Sequence, residues 1–316
     1  VFKRGLRFLA RGAARATRRH RVRAEPPPAP AVQPAAPATA PLFAAPGHFY
    51  SPVVDPDELR RNGFATPDYA GDLPGVAVDM RRMGETFELM ASHMPDLTFP
   101  ARPSPDWRYF YRNDAFPFAD AIVLASVIRA FRPSRIIEVG AGYSSAAMLD
   151  TLERTPGLET THCLFIEPHD GRLRGLLRPG DAARITVMSQ PVQAVPLETF
   201  DALQAGDLLL LDSTHVAKTG SDVVHEVFNV LPRLRSGVLI HIHDVFAGFE
   251  YPRQWIFDEN RSWNEIYLLR AFLMHNDAYE VVFFPGAFFA ANPERVNAVS
   301  PLILPEQGGG LWLRKR

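Results

Sequence analysis

Residues 135–150 read RIIEVGAGYSSAAMLD. A short apolar run, Arg135 to Val139, stops at a glycine turn, Gly140-Ala141-Gly142, and Ser144 opens a stretch of helix formers. Strand, glycine turn and helix together form the repeating unit of a parallel sheet covered on both faces. Ligands of such sheets sit beyond the carboxyl ends of the strands, which is where this turn falls. Gly140 and Gly142 let the backbone approach a ligand that a Cβ would block. The helix start at Tyr143, Ser144 and Ser145 leaves N–H groups pointing at the same place.

The rhythm continues downstream. HCLFIEP, ARITVMS, DLLLLD and GVLIHIHD read as strands, and SSAAMLDTLER, DGRLRGLLRP, SDVVHEVFNVLPRL and RSWNEIYLLRAFLMH as helices. EVVFF and GLWLRK close the series. With no clear helix between them, they suggest an antiparallel pair at one edge. Upstream, FADAIVLASVIRAFRP predicts an amphipathic helix ended by Pro133. The chain therefore divides into a basic arm and Pro/Ala-rich linker (1–47), a helical preamble (48–117) and a sheet domain (118–316).

The arm carries nine Lys/Arg and no acid in residues 1–24, leaving 25 Lys/Arg against 35 Asp/Glu in the rest, a balance of −10. An acidic body does not suit a nucleic-acid binder. The arm itself reads as a solvated tail. Weak contact of residues 1–24 with an anionic membrane surface and an organelle transit peptide are the other readings. Eight prolines between residues 25 and 47 make an extended linker. A single cysteine, Cys163, excludes a disulfide framework and fits a reducing, cytoplasmic setting.

The turn's chemistry depends on its acids. The dinucleotide fingerprint G-x-G-x-x-G would need glycine where Ser145 stands, and Glu138 would repel a pyrophosphate. A carboxylate there suits S-adenosylmethionine, which has an ammonium, a sulfonium and no phosphate. Glu167, closing the second strand, can accept both hydroxyls of a ribose. LLLLDSTH and LIHIHD then place Asp212, His215, His241, His243 and Asp244 at the ends of two buried strands, where packing does not explain charge. Asp212 and Asp244, with His243 as a third donor, suit Mg²⁺ or another divalent metal. A His-x-His hydrolase metal site and a pair of hydrogen-bonded loop acids are the alternatives. His241 reads as a core histidine, and His215, off the strand end, as a general base working near neutral pH. Tyr251, Trp255, Asn264 and Glu265, and Tyr111 and Asn113 upstream, are candidates to line an acceptor site.

IIEVGAGYSS, LFIEP, LLLLDSTH and LIHIHDVF, in this order, resemble a class I S-adenosylmethionine-dependent methyltransferase, of the bacterial small-molecule (sugar and macrolide) O-methyltransferase subgroup. The resemblance covers roughly residues 105–316. It implies a Rossmann-like α/β fold with seven strands in the order 3-2-1-4-5-7-6 and strand seven antiparallel. It also implies S-adenosylmethionine at Glu138, Gly140, Gly142, Tyr143, Ser144 and Glu167. In metal-dependent members, acids matching Asp212 and Asp244 hold Mg²⁺ and a histidine matching His215 is the base. His243 departs from the acid that some relatives carry there. The expected reaction is methyl transfer to a hydroxyl of a sugar, polyketide or similar small molecule. A nicotinamide-dependent oxidoreductase and a catalytically silent cofactor-binding module are the rival readings.

Overall fold

Five apolar runs form the parallel strands β1 (Arg135–Val139), β2 (His162–Ile166), β3 (Ile185–Met188), β4 (Leu208–Leu211) and β5 (Leu239–His243), and β6 (Tyr279–Phe283) and β7 (Gly310–Lys315) complete the sheet. The structure is a computed structural model that describes residues 42–65 and 73–316. The basic arm and most of the linker lie outside the described residues. The strand order is β3-β2-β1-β4-β5-β7-β6, as expected. β1 to β5 pair in parallel, and β7 runs antiparallel to both β5 and β6. All four leucines of β4 are buried, as in a strand covered on both faces.

The helices are α1 (Pro56–Arg61), α2 (Met80–Ala91), α3 (Phe118–Phe131), α4 (Tyr143–Glu153), α5 (Gly171–Leu176), α6 (Glu198–Asp201), α7 (Asp222–His225), α8 (Arg253–Phe257), α9 (Glu265–Leu273), α10 (Pro285–Ala291) and α11 (Pro293–Val299). Three differ from expectation. α3 is buried at Ala119 and from Ala121 to Ile128 rather than amphipathic, because α2 packs against it. The helix expected over 221–234 breaks up: α7 passes into a π-helical turn, Glu226–Val230, and a 3₁₀ turn, Leu231–Arg233. Pro232 there has no N–H to continue the ladder. β6 and β7 are joined by α10 and α11, each begun by a proline that pre-sets the helical φ.

Ala44–Arg316 forms one compact unit. Asp79 caps α2 by accepting from the N–H groups of Arg81 and Arg82. The helix then buries Met83, Phe87 and Met90, one face at i, i+4 and i+7, against α3 and β6. A second tie is Arg108. Its guanidinium, 5% exposed, meets Asp150 (2.8 Å), Glu153 (2.6 Å) and Asp181 (2.5 Å). Among the described residues, no helix is long and apolar enough to cross a membrane.

Candidate active site

Register puts the site residues in one row. Val139 is level with Ile166 and Leu211, and Leu211 with Ile242. One step further along each strand stand Gly140, Glu167, Asp212 and His243. The ladder carries on past the strand ends, with Gly140 N–H donating to Ile166 O (3.0 Å) and Asp212 N–H to Val139 O (2.8 Å). A cavity of about 380 Å³ opens over this row, within the size range of small-molecule sites. Gly140, Glu167, Asp212, Thr214, Lys218 and Asp222 are among its walls.

The glycine turn is built from inside. Gly140 has φ +84°, and a Cβ there would lie 1.7 Å from the carbonyl oxygen of Asp212. Its reason is thus the backbone next door rather than a ligand. A Cβ on Gly142 would meet only Arg172 Cδ, at 3.4 Å. Glu138 does not face a ligand. It is fully buried and accepts from the hydroxyls of Ser144 and Ser145, while Ser145 Oγ also accepts from Gly142 N–H at 3.0 Å. Burial pushes its carboxyl up to about 8, against the pull of the two serines. The carboxyl ties β1 to the start of α4 through the Ser144 and Ser145 hydroxyls, which corrects the cationic-ligand reading of Glu138. Tyr143 is half-buried, edge-on to Phe110, with Arg172 over its ring. Glu167 stands in the cavity wall, its Oε1 accepting from His169 N–H at 2.7 Å.

His215 is held from every side. Nε2 lies 3.4 Å from Asp212 Oδ1 and 3.5 Å from Asp244 Oδ2, and Nδ1 lies 2.8 Å from Glu265 Oε2. The ring is 4.5 Å from that of Trp263. His215 and Asp244 both have left-handed backbones, φ +59° and +55°. Such strain in non-glycine residues gathers at functional sites. Burial works against the imidazolium, but its hydrogen bonds to Asp212 and Glu265 prevail and raise its proton affinity well above the ordinary value. The carboxylates around the expected base favour its protonated form. Burial raises the Asp212 carboxyl, yet His243 and His215 bring it below the usual range. Burial leaves Asp244 and Glu265 raised.

His243 is buried, with Nε2 3.6 Å from Asp244 Oδ1 and its ring 5.1 Å from Phe116. His241 lies deeper, 3.4 Å from His243, and packs against Trp312. The expected metal ligands Asp212, Asp244 and His243 do not assemble as a donor set. Among the described residues, no three His, Cys, Asp or Glu side chains converge as ligands. The two aspartates share a nitrogen, Nε2 of His215, where a bridging cation would compete with it.

Of the six acceptor-site candidates, Tyr251 and Asn264 line a second cavity. Trp255 packs edge-on to Trp263 behind it. Glu265 is buried on His215 instead. Tyr111 is stacked on Phe118 and edge-on to Phe99 and Tyr109, inside the core. Asn113 bonds the backbone of Phe110, Ala115 and Phe116, and so shapes its own turn. Two acids escaped sequence reasoning. Asp120, in the first turn of α3, accepts from Gly309 N–H at 3.1 Å and is pushed by burial to about 7, with His243 opposing. An acid in a helix's first turn looks like an ordinary dipole partner, so it carried no signal. Glu226, buried in the π-helical turn, accepts from Ser213 Oγ at 3.0 Å, and burial raises it well above the ordinary value. Its only signal was an acid inside the apolar run VVHEVF.

Residues 137–245 match the family described as a methyltransferase domain. An uncharacterized protein of Archaeoglobus fulgidus is 30% identical over 165 residues, which span 50% of this chain and 73% of that protein. Among solved structures, an SAH-bound methyltransferase of Podospora anserina aligns over 82% of this chain and 96% of its own, at 15% identity and a TM-score of 0.40. An O-methyltransferase of Bacillus cereus, also in complex with SAH, aligns over 76% and 92%, at 13% identity and a TM-score of 0.39. The match over residues 137–245 points to a methyltransferase domain.

Proposed function

We propose that the chain is a class I methyltransferase and that it moves the methyl group of S-adenosylmethionine onto a hydroxyl of a small molecule, a reading supported by the methyltransferase-domain match over residues 137–245. The observation that carries the reading is His215, whose Nε2 lies between Asp212 and Asp244, with Asp212 itself a wall of the cavity over the glycine turn. When bound, S-adenosylmethionine supplies a methyl group on a positively charged sulfur, ready for in-line displacement. Glu167 is placed to accept the ribose hydroxyls, and glycine at 142 leaves room for a ligand crossing the turn.

Glu265 fixes the proton of neutral His215 on Nδ1, so that Nε2 offers its lone pair to the acceptor hydroxyl. Asp212 and Asp244 stabilise the imidazolium that forms. Positioning of the hydroxyl supplies the rest of the acceleration. No step is routed through a metal, since the carboxylates do not form a donor set with His243.

His215→Ala is expected to lower turnover by roughly 10²–10⁴-fold, the usual worth of a general base. Calorimetric titration of S-adenosylhomocysteine into the same variant should give an unchanged affinity. Near-normal turnover would remove the histidine from the mechanism. Failure of the unmodified protein to bind S-adenosylhomocysteine would remove the cofactor.

A further inference from the structure

With Glu138 turned inward, the charges of a ligand at the glycine turn have to be met from outside it. Arg172, in the first turn of α5, lies across that turn. A Cβ on Gly142 would meet the Cδ of Arg172 at 3.4 Å and, beyond its own chain neighbours, no other atom within 4 Å. The guanidinium sits over the ring of Tyr143, 5.6 Å from its centroid, and Nη2 is 3.6 Å from Asp114 Oδ2. Asp114 belongs to the loop before α3, whose Phe110 is edge-on to Tyr143 at 5.4 Å. This loop, α4 and α5 thus meet beside Gly142, and one loose ion pair joins the loop to α5. Its side chains, Arg172 and Asp114, are 52% and 73% exposed, and 3.6 Å is too long for a hydrogen bond. Such a pair adds little, so the guanidinium is available to a better anion. Arg174 on the same helix is engaged, with Asp170 at 2.7 Å and Ser189 at 3.1 Å.

We propose that Arg172 holds the carboxylate of S-adenosylmethionine, and that Asp114 competes with that carboxylate for the guanidinium. The proposal rests on the methyltransferase reading and deepens it, by assigning the residue that recognises the amino-acid end of the cofactor. A guanidinium suits this task because its paired N–H donors match both oxygens of a carboxylate. Asp114 is the internal anion already beside it, held too loosely to keep it.

The cavity over the turn gives the cofactor its direction. Glu167 suits the ribose, and Pro191 and Val192, just after β3, offer apolar surface for the face of an adenine. Lys218, the lysine in that wall, stands on the same side. Gln193 Nε2 donates to Gly220 O at 2.9 Å and so draws the loop after β4 to the loop after β3. A base held between these loops sends the amino-acid end the opposite way, across the end of β1 to Gly142. Arg172 is the cation placed against Gly142. The two ends of the cofactor therefore meet different cations, and a ligand without the amino-acid end tells them apart.

The test is calorimetric titration of S-adenosylhomocysteine and of 5′-methylthioadenosine, which keeps the adenosine and the thioether but lacks the carboxylate and the ammonium. Both are titrated into the full chain and into Arg172→Gln, Lys218→Gln and Asp114→Asn. The three side chains are exposed, so each variant should fold as the parent does. Arg172→Gln is expected to weaken S-adenosylhomocysteine by about tenfold or more, the worth of a charge-assisted pair, and to leave 5′-methylthioadenosine within about twofold. Lys218→Gln should keep the parent's preference between the two ligands. Asp114→Asn should tighten S-adenosylhomocysteine by roughly two- to fivefold, the size of an exposed ion pair. Full affinity for S-adenosylhomocysteine in Arg172→Gln, an equal loss of both ligands there, or loss of the preference in Lys218→Gln overturns the assignment to Arg172. An unchanged affinity in Asp114→Asn overturns the competition. A parent chain that binds neither ligand overturns the methyltransferase reading instead, whereas a wrong assignment of Arg172 leaves the parent's binding intact.

Discussion

Gly140 and Gly142 look alike in the sequence and do different work. Alanine at 140 would have to fit its Cβ at 1.7 Å from the Asp212 carbonyl and adopt φ +84°. Alanine at 142 would make an ordinary contact with Arg172. Gly140→Ala is therefore expected to destabilise the fold by about 3 kcal/mol or more, a size reserved for strain at special backbone positions. Gly142→Ala should melt like the parent and bind S-adenosylhomocysteine at least about tenfold more weakly, as a Cβ intrudes on the ligand's path. Thermal melting and calorimetry of the two variants separate these roles, and equal melting temperatures for both would contradict them. His215 gives a pH prediction. Its proton affinity is raised, so the basic, neutral form fills at higher pH than in a free imidazole, and turnover should rise with pH as it does. Glu265→Gln keeps an acceptor for Nδ1–H but removes a charge that favours the imidazolium. The rising limb of the pH–rate profile should then move to lower pH. A limb that stays in place would deny Glu265 this influence.

Strands and helices placed these residues with different degrees of warning in the sequence. The strand ends were legible because a buried apolar run has no room for a charge, so the acid that stops it marks where the strand leaves the core: Asp212 and Asp244 each stand one residue past a buried strand. The burial of α3 was not legible, since the α2 face that covers it lies about forty residues upstream. α10 and α11 were not either, because PGAFFAA and PERVNAV are too short to show a period. The tie between α4 and the loop before α3 was equally silent. Arg108 there is one arginine among many until Asp150, Glu153 and Asp181 close around it. Arg108→Ala leaves two buried carboxylates without their cation and is expected to cost about 3–5 kcal/mol in urea unfolding. A loss under about 1 kcal/mol would class the cluster with surface ion pairs.

The molecule as a whole joins one compact unit, Ala44–Arg316, to a basic, proline-rich leader. The cavity over the glycine turn and the one lined by Tyr251 and Asn264 both lie within that unit. A chain beginning at Ala44 should therefore keep the melting shift produced by S-adenosylhomocysteine, about 2.7 kcal/mol at one hundred times its Kd. NAD should give none. Loss of the shift on truncation would assign the leader a part in the fold or the site.

Alternation of apolar runs with helix formers was enough to establish the parallel sheet, because burial on both faces leaves a periodicity that local sequence records, while the strand order came from the resemblance to class I methyltransferases. The same reading brought Glu167, Asp212, His215 and Asp244 to one edge. Partners were beyond it. That Glu138 turns inward to two serines, that Glu265 serves His215 rather than an acceptor, that Asp120 and Glu226 join the acids, and that Phe64 and Trp263 line one cavity all depend on contacts between stretches brought together by packing. Hydrogen bonds and charge pairs act over a few ångströms of space, whatever the separation along the chain.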